Sequence, residues 1–313
     1  MRALLLKIVG ALLFLTALAM WMSRAPDWPV ESLVARWAPP PSDFIDIDGQ
    51  LVHLRDVGPR GDPEPLVLVH GTSASLHTWE GWVKTLAPGR RVISFDLPGF
   101  GLTGPSAEAD YRGDTYARFV LALMDRLQVQ RFAIAGNSLG GEVAWRTAWL
   151  APERVTKLIL VDAAGPDFKS DSTPLGFLVA RVPLLNRVFD WVLPRPMVVA
   201  SLRNVYGDPS RVNDDLVDRY YQLALREGNR RALVQRLQQN RRGQDAQRIG
   251  ELKQPTLILW GGRDRLVPPS VGRQFQQQIA GSTLIVFDDL GHVPHEEDPA
   301  RTVVPVKDFL QRR

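Results

Sequence analysis

Short apolar runs alternate with helical segments along most of this chain, and this alternation limits its fold more than any other feature. The runs are residues 66–69, 92–95, 132–135, 158–161, 256–260 and 284–287. Runs of this length are typical of buried parallel strands. Helical patterns fill most of the intervals, at residues 115–127, 139–150, 270–279 and 300–310. The alternation predicts an α/β fold with a doubly wound, mostly parallel sheet, whose functional site lies at the carboxyl ends of the strands.

Two features modify this pattern. Residues 44–47 and 51–54 flank Asp48-Gly49, which predicts an antiparallel hairpin before the parallel strands. From 166 to 249 there is no strand pattern, only helical segments at 175–192, 196–205 and 215–239. An interval this long is no ordinary loop. We therefore expect a core of residues 43–165 and 250–313 with a helical cap, 166–249, over the carboxyl edge of the sheet.

The N-terminal segment, residues 1–23, predicts a transmembrane signal anchor. Residues 3–22 are apolar except for Lys7 and Thr16, and a helix of about 20 residues spans roughly 30 Å. A cleaved signal peptide is the alternative, because small residues occupy 16–19, but the bulky residues 20–22 suit an interfacial anchor better. The basic start favours an extracytoplasmic catalytic part, on the periplasmic face of a bacterial inner membrane. Prolines in residues 24–42 predict a stiff linker.

Composition removes several classes of function. The chain has no cysteine, so disulfide scaffolds, cysteine-ligated metal centres and cysteine nucleophiles are excluded. The net charge of +4 is scattered, without aromatic residues interleaved in a basic stretch, and we expect no nucleic-acid partner. The residues specify no oligomeric state.

Ser138 is the candidate nucleophile. It lies in Gly136-Asn-Ser-Leu-Gly-Gly141, between a predicted strand and a predicted helix. A serine on such a sharp turn exposes its hydroxyl above the sheet, and glycines allow the strand and helix to approach each other. A glycine-rich turn without chemistry is the structural alternative.

His292 is the candidate general base, because a serine hydroxyl needs a neighbouring base to become a nucleophile. It follows the last predicted strand and the flexible Gly291, in a loop at the carboxyl edge of the sheet. The sequence makes packing or backbone roles more suitable for the other histidines, which are His53, His70, His77 and His295.

Asp264 is the candidate acid that orients the imidazole, and it follows the strand at 256–260. The order Ser138, Asp264, His292 is the one this architecture uses. Asp162, which ends another strand, is the alternative acid, whereas Asp96 is assigned to a turn. The backbone N–H groups of Thr72 and Leu139 are the candidate oxyanion hole.

A dinucleotide-binding site and a zinc site are both excluded by the residues around their candidate motifs. Gly99-x-Gly101-x-x-Gly104 has the spacing of a dinucleotide fingerprint, but Pro105 follows and no helix begins there. His292 and His295 lie in a proline-containing loop without zinc-site spacing, so no metal is expected.

These residues together resemble the α/β-hydrolase superfamily. The matching pieces are His70-Gly-Thr72, Asp96-Leu-Pro-Gly-Phe-Gly101, the Ser138 motif, Trp260-Gly-Gly-Arg-Asp264 and Gly291-His292. The resemblance implies an eight-stranded sheet with a cap after the sixth strand, and no cofactor. It also implies nucleophile, acid and base roles for Ser138, Asp264 and His292, with Thr72 and Leu139 as the oxyanion hole.

Within the superfamily the chain looks like the carboxylesterase and carbon–carbon bond hydrolase branch. We expect cleavage of small-molecule carboxylic esters through an acyl-enzyme. The alternative is hydrolysis of vinylogous diketones from aromatic ring cleavage, although those hydrolases carry Trp where Val293 follows His292. A non-catalytic binding protein is a third reading. Ser138 argues against dehalogenases and epoxide hydrolases, which use an aspartate nucleophile. Cap residues expected either to shape an acyl pocket or simply to pack are Phe177, Leu178, Phe189, Trp191 and Val192.

Overall fold

The computed structural model describes residues 2–182 and 190–311 and contains one eight-stranded sheet. The strands are β1 (Ser42–Ile47), β2 (Gln50–Val57), β3 (Leu66–Val69), β4 (Val92–Phe95), β5 (Phe132–Asn137), β6 (Val155–Val161), β7 (Thr256–Gly261) and β8 (Thr283–Phe287). Their order is β1-β2-β4-β3-β5-β6-β7-β8. β2 pairs antiparallel with β1 and β4, and every other pairing is parallel. The predicted hairpin and mostly parallel α/β sheet are confirmed.

Helices cover both faces of the sheet. They are α3 (Glu80–Leu86), α4 (Gly113–Arg126), α5 (Leu139–Leu150), α10 (Pro269–Gln278), α11 (Pro294–Glu297) and α12 (Pro299–Gln311). Alternate strand residues point to opposite faces. Val67 and Val69 pack in the cluster with side chains of α4, α5 and α10, while Leu66 and Leu68 pack with those of α3 and α12. Burial on both faces explains why these strands are continuous apolar runs.

The cap lies between β6 and β7, where the described residues form helices and no strand. Its helices are α6 (Leu175–Arg181), α7 (Arg195–Val205), α8 (Asp214–Ala224) and α9 (Asn229–Gln239). Two predicted helices are shorter than expected. α6 ends at Arg181, before the undescribed residues. The predicted helix 215–239 is divided into α8 and α9, which residues 225–228 separate, and Gly228 at the start of α9 adopts a left-handed φ of 82°.

The N-terminal helix α1 (Arg2–Met22) is exposed along its length, and its stretch Leu4–Met22 is long and apolar enough to cross a membrane. The segment after it differs from the predicted stiff linker. Helix α2 (Val30–Trp37) packs on the cap and core through Leu33, which is buried beside Leu102 and Leu223. The linker is therefore partly folded onto the body of the protein.

Candidate active site

Ser138 occupies the junction between β5 and α5 in a backbone conformation that residues other than glycine rarely adopt, with φ 54° and ψ −115°. Its N–H donates to the carbonyl of Val161 at 3.1 Å. Its carbonyl accepts from the N–H groups of Glu142 at 3.1 Å and Ala164 at 2.9 Å. Strained residues of this kind persist only where their surroundings hold them, and they concentrate at functional sites. These bonds hold the serine at the carboxyl end of β5.

Close backbone packing explains the glycine at position 140. A Cβ atom on Gly140 would lie 2.0 Å from the carbonyl oxygen of Val69, the last residue of β3. The first turn of α5 therefore rests directly on the neighbouring strand. This is the strand–helix approach that the sequence motif predicts.

His292 and Asp264 form a buried hydrogen-bonded pair. The His292 Nδ1 atom lies 2.6 Å from Asp264 Oδ2, and the side chain of Asp264 is fully buried. Asp264 Oδ1 accepts two further bonds, from the N–H groups of Leu266 at 2.8 Å and Val267 at 2.9 Å. An ionised carboxylate suits this environment, since it only accepts hydrogen bonds. With Nδ1–H directed at Asp264, the Nε2 atom of His292 is the one available to accept a proton.

Asn137 connects the serine turn to the histidine loop, a contact that the sequence pattern does not predict. Its Nδ2 atom donates to the carbonyl of His292 at 2.9 Å and to the carbonyl of Val161 at 3.1 Å. The residue before Ser138 thus holds the backbone of His292 beside it. Ser138 and His292 line one cavity. The only sequence signal for this role was the asparagine in the serine motif.

Gly291 acts through its small size. A Cβ atom on Gly291 would lie 2.3 Å from the carbonyl oxygen of Val205, at the end of α7. The N–H of His292 donates to that same carbonyl at 2.7 Å. The sequence suggests flexibility as the reason for this glycine, but close contact between the loop and the cap requires it.

Asp162, the alternative acid, lies beside Asp264 but does not contact the imidazole through a hydrogen bond among the described residues. Its Oδ1 atom accepts from the N–H of Gly261 at 2.9 Å, and its Oδ2 atom has no partner in the described part of the chain. Burial, together with the charge of Asp264, raises the pKa of Asp162 well above its usual value. The raised pKa favours the neutral form of Asp162, and His292 Nδ1 bonds to Asp264, so the geometry favours Asp264 as the acid. One carboxylate oxygen of Asp162, one of Asp264 and a ring nitrogen of His292 lie within 4.8 Å of one another, which is close enough for a shared metal ion. Both oxygens of Asp264 already accept hydrogen bonds, Oδ1 from the N–H of Leu266 and Oδ2 from His292.

The two residues that carry the candidate oxyanion donors lie next to Ser138. Leu139 is the first residue of α5, so its N–H has no carbonyl one turn earlier to bond within the helix. Thr72 follows Gly71, where a Cβ atom would lie 3.2 Å from the Cβ of Ser138. Thr72, Ser138 and Leu139 all line a second, adjoining cavity. Two backbone donors near one serine hydroxyl are what an oxyanion hole requires.

His295 is a core residue, although it lies only three positions after His292. Its ring is buried against Trp79, with centroids 4.0 Å apart, and its Nε2 atom lies 3.0 Å from Thr78 Oγ1. Burial lowers the pKa of His295 well below its usual value, which keeps the ring neutral.

The remaining histidines support turns around Asp96. The Asp96 carboxylate lies 2.8 Å from His53 Nδ1 and accepts the N–H groups of Leu76 and Leu102. His70 Nε2 accepts the N–H of Leu97 at 2.9 Å, and His77 Nε2 lies 2.7 Å from the carbonyl of Trp37. In the glycine spacing that begins at Gly99, the N–H of Gly99 donates to the carbonyl of Gly104 at 2.6 Å. This closes a turn, and the next helix begins only at Gly113.

The cavity that contains Ser138 and His292 is mostly apolar, and no carboxylate lines it among the described residues. Apolar side chains from the cap and the histidine loop form much of its wall, including Phe177, Leu193, Met197, Leu202, Leu233 and Val293. Of the cap residues expected to shape an acyl pocket, Phe177 lines the cavity, but Leu178 and Trp191 are exposed. Phe189 lies outside the described residues.

The fold and the arrangement around Ser138 define a class of α/β enzymes that carry a nucleophile on a sharp turn after a central strand. The family model described as the alpha/beta hydrolase fold matches residues 64–299, so the chain belongs to this family and is a hydrolase.

One relative and two solved structures show which members of the family this chain is similar to. The chain is 32% identical over 274 residues to a 2-hydroxy-6-oxononadienedioate/2-hydroxy-6-oxononatrienedioate hydrolase of Escherichia coli (strain K12), covering 83% of this chain and 91% of that protein. A solved meta-cleavage product hydrolase from Pseudomonas fluorescens IP01 is similar with a TM-score of 0.73 and 26% identity, over 86% of this chain and 97% of that one. A solved structure described as a membrane phospholipase A is similar with a TM-score of 0.72 and 25% identity, over 99% of this chain and 98% of that one.

Proposed function

We propose that this protein is a membrane-anchored serine hydrolase that cleaves carboxylic esters of apolar acids. Ser138 is the nucleophile, His292 the general base and Asp264 the acid that orients the imidazole. The observation that carries this proposal is the mostly apolar cavity that Ser138 and His292 line together, to which the described residues contribute no carboxylate. Transfer of an acyl chain from water to such walls is favourable by about 25 cal/mol for each Å² of apolar surface buried.

The chemistry follows from the roles of these groups. His292 Nε2 takes the Ser138 proton as the hydroxyl attacks the ester carbonyl, and Asp264 stabilises the imidazolium that forms. The N–H groups of Thr72 and Leu139 donate to the tetrahedral oxyanion. The imidazolium then protonates the departing alcohol, which leaves an acyl-enzyme. Water, deprotonated by His292, attacks the acyl carbonyl. The bond to Ser138 Oγ then breaks, the imidazolium returns its proton to that oxygen, and the acid is released.

The N-terminal region supports substrate supply from a membrane. The solved protein that is similar over 99% of this chain is described as a membrane phospholipase A. Just after helix α1, the backbone of Arg24 forms an antiparallel β-bridge with Val192. Leu193, which follows Val192, lines the cavity. The wall of the cavity therefore begins beside the end of the anchor.

The cap also carries an exposed apolar face. Leu175 and Leu178, three residues apart on α6, are 55% and 47% exposed, while Phe177 of the same helix lines the cavity. Trp191 is 61% exposed, and its carbonyl accepts the N–H of Ala25 at 2.9 Å. Apolar residues exposed beside a membrane-spanning helix suit contact with the bilayer surface. We place this surface on the extracytoplasmic side, because Arg2 and Lys7 precede most of the apolar stretch.

Carbon–carbon bond hydrolysis is the second candidate, and the names of the relatives favour it. The Escherichia coli relative and the Pseudomonas fluorescens structure are hydrolases of ring-cleavage products by their descriptions. The same three residues would serve that reaction. Val293 stands where such hydrolases carry Trp, and α1 lies outside the residues 64–299 that the family model matches.

A substrate panel distinguishes the two candidates. The detergent-solubilised full chain is assayed with p-nitrophenyl esters of two to twelve carbons, with phospholipids, and with a vinylogous diketone acid. Ester cleavage that improves with chain length supports the proposal. Preferential cleavage of the diketone contradicts the proposed ester hydrolysis and supports carbon–carbon bond hydrolysis. Labelling of Ser138 by a fluorophosphonate probe distinguishes both from a binding protein, which would not react.

A further inference from the structure

Two consecutive residues at the start of α9 add polar groups to the wall of the mostly apolar cavity. Asn229 and Arg230 both line it, and they are only 5% and 2% exposed. Each has one buried polar atom without a hydrogen-bond partner in the described part of the chain, Oδ1 of Asn229 and Nη1 of Arg230. A buried donor or acceptor left unpaired costs free energy, so such atoms call for a ligand.

Both side chains are held in place by their remaining bonds. Asn229 Nδ2 donates to the carbonyls of Gly101 at 3.0 Å and Leu223 at 2.8 Å, which settles the amide orientation and leaves Oδ1 as a pure acceptor. Arg230 Nη2 donates to Asp27 Oδ1 at 2.5 Å and to the carbonyl of Ala25 at 2.7 Å, and Nε donates to Asp27 at 3.2 Å. Among the described residues, only the Nη1 hydrogens of the guanidinium have no acceptor.

The charge at this place is balanced, which limits what can bind. The Asp27 carboxylate, from the segment after the anchor, pairs with the Arg230 guanidinium. A second anion is therefore not needed for neutrality, and it would offer no proton to Asn229 Oδ1. A hydroxyl group both accepts and donates, so the hydroxyl groups of an alcohol can take a hydrogen from Arg230 Nη1 and give one to Asn229 Oδ1.

We propose that Asn229 and Arg230 form a subsite for a hydroxyl group on the alcohol part of the substrate. The preferred substrates are then acyl esters of polyhydric alcohols of the glycerol type. This inference rests on the proposed ester hydrolysis, and it adds the chemical class of the alcohol. The subsite also connects substrate binding to the segment that follows α1, since Asp27 and Ala25 hold the arginine.

Binding of non-hydrolysable ethers tests the subsite separately from the chemistry. The full chain with Ser138→Ala, in detergent, is titrated with 1-O-decylglycerol and with decyl propyl ether, which lacks the hydroxyls. We expect the glyceryl ether to bind about tenfold more tightly or better. In the Ser138→Ala background, Arg230→Lys keeps a cation beside Asp27 but removes Nη1, and Asn229→Ala removes the acceptor. Each is expected to reduce the preference to within about twofold of unity.

Ser201→Ala is the matched control, because Ser201 lines the same cavity but already donates to the carbonyl of Met197 at 2.8 Å. It is expected to keep the preference, and unchanged thermal melting verifies the fold of each variant. Equal affinity of the Ser138→Ala chain for the two ethers overturns the subsite. An unchanged preference after addition of Arg230→Lys or Asn229→Ala, in a chain that still folds, overturns it as well. Tighter binding of a decyl ether that ends in a carboxylate overturns it in favour of an anion site. Ester hydrolysis without a glyceryl preference rejects the subsite and leaves the proposed function standing.

Discussion

His292 Nδ1 lies 2.6 Å from Asp264 Oδ2, although the two residues are 28 positions apart in the chain. Asp264 follows β7 and His292 follows β8, and these strands are parallel neighbours in the sheet. The carboxyl ends of parallel neighbours meet at one edge, which brings the two loops together. The bond of Asn137 to the carbonyl of His292 then attaches the pair to the turn that carries Ser138.

Replacement of Ser138 by alanine is expected to reduce ester hydrolysis by at least about a thousandfold, because the nucleophile is lost. The measurement is kcat/KM for a p-nitrophenyl ester, with circular dichroism to verify the fold. Ser201→Ala, in the same cavity, is the control and should keep activity within a few-fold. Turnover near the parent level in folded Ser138→Ala would remove Ser138 as nucleophile.

Replacement of Asp264 by asparagine is expected to reduce kcat by about ten thousandfold, because the amide no longer holds the imidazole in the required tautomer. Asp162→Asn is the matched comparison. It should retain activity within about tenfold, since an amide imitates the neutral carboxyl group that the structure indicates. The reverse ranking of the two variants would make Asp162 the acid.

Asp162 should also make stability depend on pH. Burial and the neighbouring Asp264 raise its pKa in the folded state, while an unfolded aspartate titrates near 4. Above about pH 4 the folded state therefore binds one more proton than the unfolded state. The free energy of unfolding then falls with rising pH by up to about 1.4 kcal/mol per unit, until the pH reaches the raised pKa.

Asp162→Asn removes this dependence, so its free energy of unfolding should increase relative to the parent between pH 5 and 7. Urea unfolding in detergent at several pH values measures the difference. Exposed Glu108→Gln, which removes a carboxylate without burial, should show no such trend. Parallel curves for the parent and Asp162→Asn would contradict a protonated Asp162.

Gly140→Ala is expected to destabilise the protein by about 3 kcal/mol or to prevent folding, because the new Cβ atom would lie 2.0 Å from the carbonyl of Val69. The midpoint of thermal unfolding measures the effect. Gly61→Ala adds the same atom where no atom lies within 4 Å, and it should change the midpoint little. Equal midpoints for the two variants would contradict the close packing of α5 on β3.

The helix α1 is expected to hold the protein in membranes. Membrane fractions of expressing cells should release the full chain with detergent but not with salt or carbonate. A chain that starts at Ser23 should move to the soluble fraction. Release of the full chain by salt alone would indicate that α1 does not span a membrane.

Local patterns in the sequence were sufficient for the architecture. The bounds of β3 and β4 were predicted to the residue, because strands buried on both faces are unbroken apolar runs. The glycine-flanked Ser138 indicated a strand–helix turn because only small residues permit the backbone contact seen at Gly140. The helix break at Gly228 was missed, since the apolar spacing continues across it.

The linker shows the limit of such patterns. Prolines predicted a stiff spacer, but Leu33 is buried against Leu102 and Leu223, and Asp27 pairs with Arg230 of the cap. These contacts join residues about 70 to 200 positions apart, and local composition carries no record of such partners.

Residue patterns along the chain are enough to predict the sheet, the cap and the candidates Ser138, Asp264 and His292, because strand burial and tight turns impose local demands on residue type. The pairing of the imidazole with Asp264, and the burial that raises the pKa of Asp162 beside it, follow from how the folded strands meet at one edge of the sheet. Likewise, the sequence contained Asn137, Asn229 and Arg230, but their partners depend on where distant carbonyls and carboxylates come together. A hydrogen bond is short and directional, so distances of a few ångströms determine these roles, and chain order does not specify such distances.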